Sequence, residues 1–94
     1  MKFNILNKQK ENITNLMRKI GYFNIGSSFI RPMNRGGYPR FHLYVEQAQD
    51  ENEIILNLHL DQKRPVYKNT TAHSGEYEGA GVEQETARIK QILG

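Results

Sequence analysis

Two stretches in the middle of the chain alternate apolar and polar side chains with a period of two. Phe41, Leu43 and Val45 alternate with Arg40, His42, Tyr44 and Glu46. Further on, Ile54, Leu56, Leu58 and Leu60 alternate with Ile55, Asn57, His59 and Asp61. Successive side chains of a strand point to opposite faces, so the two runs predict an antiparallel hairpin with one apolar and one polar face. Ser27 to Met33 reads as a third, short strand, held to an edge or an end by Pro32, which cannot donate to a ladder. Asn34-Arg35-Gly36-Gly37 is a turn signal of the hairpin kind. The expected strands are therefore 27–33, 38–46 and 54–62, a three-stranded meander with an acidic second turn over 47–53.

Period 3.6 appears on either side of this unit. Ile13, Leu16, Met17 and Ile20 form one apolar stripe among polar neighbours, predicting an amphipathic helix that ends at Gly21. Arg18 and Lys19 in its last turn suit the negative end of the helix dipole. Asn7 or Asn12 can cap its start, and Phe3, Ile5 and Leu6 form either an extra turn or an extended arm. Val82, Thr86, Ile89 and Leu93 make a second stripe, with Glu83 and Glu85 early and Arg88 and Lys90 late, as the dipole prefers. Between them, residues 64–81 (RPVYKNTTAHSGEYEGAG) carry no period and form a long loop of the kind that is either functional or disordered. The fold expected is a single α+β domain over residues 1–94, α-β-β-β-α. Both helices cover the sheet face made by Phe41, Leu43, Val45, Leu56, Leu58 and Leu60.

Ninety-four residues suffice for one modest core. Without cysteine the chain has no disulfides and no thiolate metal site. The first seventeen residues keep charges throughout and lack the apolar core of a signal peptide, and no run reaches the ~18 apolar residues of a membrane span. These features predict a cytoplasmic protein without a membrane partner. The net charge of +3 conceals an asymmetry. Residues 1–40 carry eight Lys and Arg against Glu11, and residues 41–94 carry five against nine acids. Either the basic half gathers on one side as a positive patch, or the halves interleave and their fields cancel.

The polar face of the hairpin holds the candidate chemistry. Keeping both apolar sets inward allows two registers. One sets His42 opposite His59 and Arg40 opposite Asp61; the other sets His42 opposite Asn57 and Arg40 opposite His59. Opposed side chains have Cβ atoms ~4.5–5.5 Å apart, so Arg40, His42, His59 and Asp61 are neighbours in both. Tyr44 and Lys63 flank them, and the loop can add His73, Glu76 and Tyr77.

Three chemistries fit these residues. The first is recognition of an anionic ligand such as RNA. Arg31, Arg35, Arg40, Lys63 and Arg64 would supply charge, and Tyr38, Tyr44 and the imidazoles stacking faces. A second is a small metal-dependent hydrolase with His42, His59, Asp61 and His73 as ligands, although Arg40 and Lys63 would oppose a cation. Nucleophilic catalysis at His73-Ser74-Gly75-Glu76-Tyr77 is a third, but Ser74 lies in no G-x-S-x-G elbow and reads more simply as a turn. A purely structural use competes with all three: an Arg40–Asp61 cross-strand ion pair, with the 64–81 loop folded over the polar face.

The order of elements resembles the double-stranded RNA-binding domain. That family opens its last helix with lysines, whereas Gly81-Val82-Glu83-Gln84-Glu85 is acidic, which removes the main phosphate contact. The segments YPRFHLYVE, ILNLHLDQKRP and AHSGEYEG resemble small uncharacterised proteins of candidate-phylum bacteria, a likeness running from Phe29 to Ile92. It brings no activity and no cofactor. It implies only that His42, His59, Asp61, His73, Ser74, Gly75, Glu76 and Tyr77 belong to one pattern. The function expected from sequence is a non-catalytic module binding an anionic ligand through Arg40, His42, Tyr44, His59, Asp61, Lys63, His73, Glu76 and Tyr77. The metal-dependent hydrolase is the alternative.

Overall fold

The computed structural model describes residues 1–62, 75–76 and 79–94, with residues 75–76 described as backbone only. The chain runs β1 (Lys2–Leu6), α1 (Ile13–Lys19), β2 (Phe23–Ile25), β3 (Ser28–Pro32), β4 (Arg40–Gln47), β5 (Glu53–Asp61), β6 (Gly75–Glu76) and α2 (Ala80–Leu93). The two alternating runs pair as β4 and β5, in the register that sets Arg40 against Asp61 and His42 against His59. Strand β3 pairs antiparallel with β4, so the expected meander exists as the middle of the sheet.

The sheet itself is larger than the three-stranded meander expected, and that expectation is corrected. Five antiparallel strands run in the order β1-β5-β4-β3-β2, and the two-residue β6 adds to β5. Strand β1 is the extended alternative for the N-terminal segment. Phe3 and Ile5 face Leu56 and Ile54 and are buried, whereas Lys2, Asn4 and Leu6 point away from the core. Strand β2 comes from the link after α1: the two residues Gly26 and Ser27 turn the chain, and Ile25 pairs with Ser28. Gly26 has φ +60°, the positive value that tight two-residue hairpins need at their first central position. Strand β6 lies inside the segment expected to lack regular structure, and sets the backbone of Gly75 and Glu76 against Asp61 and Leu60.

Both helices form where the periodicity places them. The Asn12 side chain accepts from the Asn15 amide at 3.3 Å to cap α1, and Gly21, with φ +87°, follows its last turn. Their apolar stripes cover one sheet face. Leu16, Met17, Ile20, Val82 and Ile89 join Phe3, Ile5, Phe41, Leu43, Leu56, Leu58 and Leu60 in a single buried cluster. Each such aliphatic or aromatic side chain contributes about 1.5–3 kcal/mol by leaving water. No helix among the described residues is long and apolar enough to cross a membrane.

Two charged side chains depart from the sequence reading. Glu85, expected near the helix start where the dipole prefers an acid, is buried, with a side chain 4 % exposed. It accepts from the Tyr22 hydroxyl at 2.7 Å and from Arg88 at 2.7 and 2.8 Å. Arg31 reaches the same carboxylate at 3.5 Å, which puts this arginine on the helix-covered face. Burial first, then the bond to Glu85, pushes the Tyr22 hydroxyl far above the usual tyrosine range. The bond to Glu85 likewise raises Arg88 further. A buried carboxylate costs several kcal/mol unless its lone pairs are met, and here they are. The network joins the end of α1, β3 and α2.

The basic and acidic halves interleave in space. Lys2 pairs with Glu46, Lys10 with Glu51, Arg31 with Glu85 and Arg40 with Asp61. Each pair joins one half to the other.

Candidate functional site

The sheet face opposite the helices carries the predicted cluster, and strand pleating places every member. Arg40, His42 and Tyr44 alternate outward along β4, and Asn57, His59 and Asp61 along β5. Asp61 is the hub. Its Oδ2 accepts from Arg40 Nε at 3.2 Å and lies 3.1 Å from His42 Nδ1. Its Oδ1 lies 3.0 Å from His59 Nε2. Arg40, His42, His59 and Asp61 are all mostly withdrawn from water, His59 most of all.

The three rings pack together. The Tyr44 ring stacks on His42 with centroids 4.6 Å apart and on His59 at 5.5 Å, and His42 and His59 are 5.0 Å apart. The Arg40 guanidinium lies 4.6 Å from the centroid of the Tyr38 ring. Stacking and the shared carboxylate fix the ring planes, so each imidazole has little rotational freedom left. Burial holds His59 below the usual histidine range, against the pull of Asp61, which would raise it. The shift favours the neutral imidazole, the form that ligates a metal.

Ser28 belongs to this site and was not singled out in the sequence. The register Ile30 to His42 turns Ser28 to the same face, one diagonal step away. Its Oγ is 2.6 Å from His42 Nε2, it also reaches the Ile25 carbonyl at 3.2 Å, and the residue is buried. The available signal was the Gly26-Ser27 pair between Ile25 and Ser28, a two-residue hairpin turn that would have extended the sheet and aimed Ser28.

The other predicted site residues divide cleanly. Arg40, His42, Tyr44, His59 and Asp61 come together. Lys63, His73 and Tyr77, with the rest of the 63–74 segment, lie outside the described residues, as does the Glu76 side chain. Arg31 is turned to the other face by its place in β3, and Arg40 is already paired with Asp61.

His42, His59 and Asp61 can each offer one ligand atom, and these atoms lie within 4.8 Å of one another. Ligands ~2.0–2.2 Å from one first-row ion stand ~3–3.5 Å apart, so atoms spread over as much as 4.8 Å would have to draw closer to share one ion. Two imidazoles and one carboxylate on a single face suit zinc or iron and leave further coordination positions open. Arg40 opposes a cation by charge, but its bond engages Oδ2 and leaves Oδ1 for ligation, which makes it an outer partner of the carboxylate.

Comparison with protein-family models, curated proteins and solved structures finds no match to this chain.

Proposed function

We propose that this protein is a small metal-dependent hydrolase whose divalent ion is held by His42, His59 and Asp61. The observation that carries the reading is the convergence of both imidazoles on separate oxygens of one carboxylate, at 3.1 and 3.0 Å. A bound ion of this kind supplies a hydroxide near neutral pH by lowering the pKa of its water to about 7. Asp61 would supply an oxygen ligand, His42 and His59 nitrogen ligands, and Arg40 would keep the carboxylate oriented through Oδ2. An ion held by His42, His59 and Asp61 would supply an activated water, and hydrolysis of an acyl or phosphoryl ester is the chemistry it would support.

The anionic ligand expected from the sequence then becomes the substrate class. With Asp61 balanced by Arg40, a divalent ion leaves the site positive, and a phosphate or carboxylate oxygen suits its open positions. Recognition through the ion does not require unpaired arginines on the face.

A second reading, a non-catalytic module stacking a planar anionic ligand such as an RNA base, draws on Tyr44, which is 40 % exposed and extends the ring stack outward. Both readings are tested on untagged protein stripped with a chelator. The hydrolase predicts uptake of one equivalent of zinc, cobalt or manganese, lost in His42→Ala, His59→Ala and Asp61→Ala, and ester hydrolysis that returns with the ion. Folded protein that takes up no metal at millimolar concentration sinks it. Salt-sensitive retention of such metal-free protein on an RNA column would favour the stacking module.

A further inference from the structure

We propose that Ser28 is a positioning residue that makes His42 an Nδ1 ligand, so that the centre coordinates unsymmetrically, through Nδ1 of His42 and Nε2 of His59. The inference rests on the metal reading above and deepens it.

The argument is an accounting of protons. A serine hydroxyl has one proton and two lone pairs, and a neutral imidazole has one N–H and one lone pair. Ser28 Oγ reaches two groups, His42 Nε2 at 2.6 Å and the Ile25 carbonyl at 3.2 Å. If its proton goes to His42 Nε2, the ring carries its own proton on Nδ1 and donates to Asp61 Oδ2, 3.1 Å away. That arrangement satisfies His42 with no cation. If the Ser28 proton instead turns to Ile25, Oγ accepts from Nε2–H and Nδ1 becomes a lone pair directed at Asp61. A lone pair facing a carboxylate is repulsive until a cation is bound beside both, with Nδ1 and Asp61 Oδ1 as its ligands. Release of the Nδ1 proton to solvent, uptake of one at Nε2 and rotation of the Ser28 hydroxyl toward Ile25 together switch His42 between an ion-free and an ion-holding tautomer.

A histidine on an open face can ligate through either nitrogen by flipping its ring. Here a flip would exchange Nε2 for a carbon beside Ser28, a buried hydroxyl, and lose the shortest polar contact of the site. The hairpin built on Gly26 and Ser27 fixes Ser28 at that spot, and Tyr44 stacked on His42 further restrains the ring. The orienting partner of an imidazole ligand is commonly a carboxylate or carbonyl; here it is a serine passing its proton to a backbone carbonyl.

The test is nitrogen-resolved NMR of zinc-loaded protein labelled with 15N-histidine, beside zinc affinities of the unsubstituted chain, Ser28→Ala and Ser28→Thr. The expected spectrum has His42 protonated on Nε2 and bound through Nδ1, and His59 bound through Nε2. Ser28→Ala should weaken zinc ~10–100-fold and release His42 to bind through either nitrogen, and Ser28→Thr should restore both properties. Zinc bound through Nε2 of His42 in the unsubstituted protein overturns the proposal while leaving the centre standing. So does a Ser28→Ala variant with unchanged affinity and unchanged ligating nitrogen. Absence of any zinc uptake by the unsubstituted protein overturns the centre itself. The spectrum of the unsubstituted chain decides the matter even if Ser28→Ala does not fold.

Discussion

His42 and His59 face one another directly across β4 and β5, and each turns a nitrogen to a different oxygen of Asp61. The carboxylate therefore has two duties, as a ligand and as the counter-charge of Arg40. Asp61→Asn keeps its shape but loses the charge and replaces one acceptor with a donor. Metal affinity should fall by more than the ~10–100-fold typical of losing an outer contact. Stability of the metal-free protein should fall by about 1–3 kcal/mol, because Arg40 loses its counter-charge and one partner of the carboxylate meets an amide N–H instead of an acceptor. Calorimetric titration and urea unfolding read the two effects separately. A variant that binds metal as before would remove Asp61 from the ligand set.

Burial of His59 sets a pH dependence of folding. Its folded pKa lies below the unfolded value of ~6.5, so between the two the unfolded chain binds more protons. The stabilisation is present above pH ~6.5 and is lost as the pH falls through that value toward the folded pKa. Urea midpoints of metal-free protein should accordingly rise from pH 5 to pH 7 and then level off. In His59→Gln the rise should be smaller, and a midpoint that climbs on acidification contradicts the assignment.

The Glu85 network yields two substitutions of different cost. Glu85→Ala leaves the buried Tyr22 hydroxyl without its acceptor and takes two bonds from Arg88, which is about a third exposed, and should cost about 3 kcal/mol. Tyr22→Phe removes one donor while Arg88 still holds the carboxylate through two bonds, and should cost about 1.5–3 kcal/mol. Chemical denaturation of both variants and of the double variant measures the coupling. If Glu85→Ala proves nearly neutral, the carboxylate is not the tie among α1, β3 and α2.

Side-chain period made the centre of this fold legible and its margins obscure. Eight alternating residues in β4 and nine in β5 leave a one-residue slip no freedom, since it would turn every leucine outward. The cluster of Arg40, His42, His59 and Asp61 follows from that register alone. Strand β2 has three residues, Phe23-Asn24-Ile25, too short an alternation to mark a strand. Strand β1 has only Phe3 and Ile5 as inward markers, with Leu6 breaking the pattern. Ser28 and Glu85 were hidden for another reason. Their partners His42 and Tyr22 lie 14 and 63 residues away, and no local pattern encodes such contacts.

The N-terminal strand offers the sharpest test of the enlarged sheet. Ile5 is 2 % exposed and opposes Ile54 on the core face, whereas Asn4, opposite Ile55, points the other way and is exposed. Truncating a buried isoleucine removes its transfer energy and leaves a cavity, so Ile5→Ala should cost about 2–5 kcal/mol. Asn4→Ala should stay within about 0.5 kcal/mol, as surface changes do. An N-terminal arm merely lying on the domain would give small effects at both positions, and a helical turn would not separate adjacent residues in this way. Urea unfolding of the two variants distinguishes these arrangements. Equal effects at positions 4 and 5 would remove β1 from the sheet and return β5 to its edge.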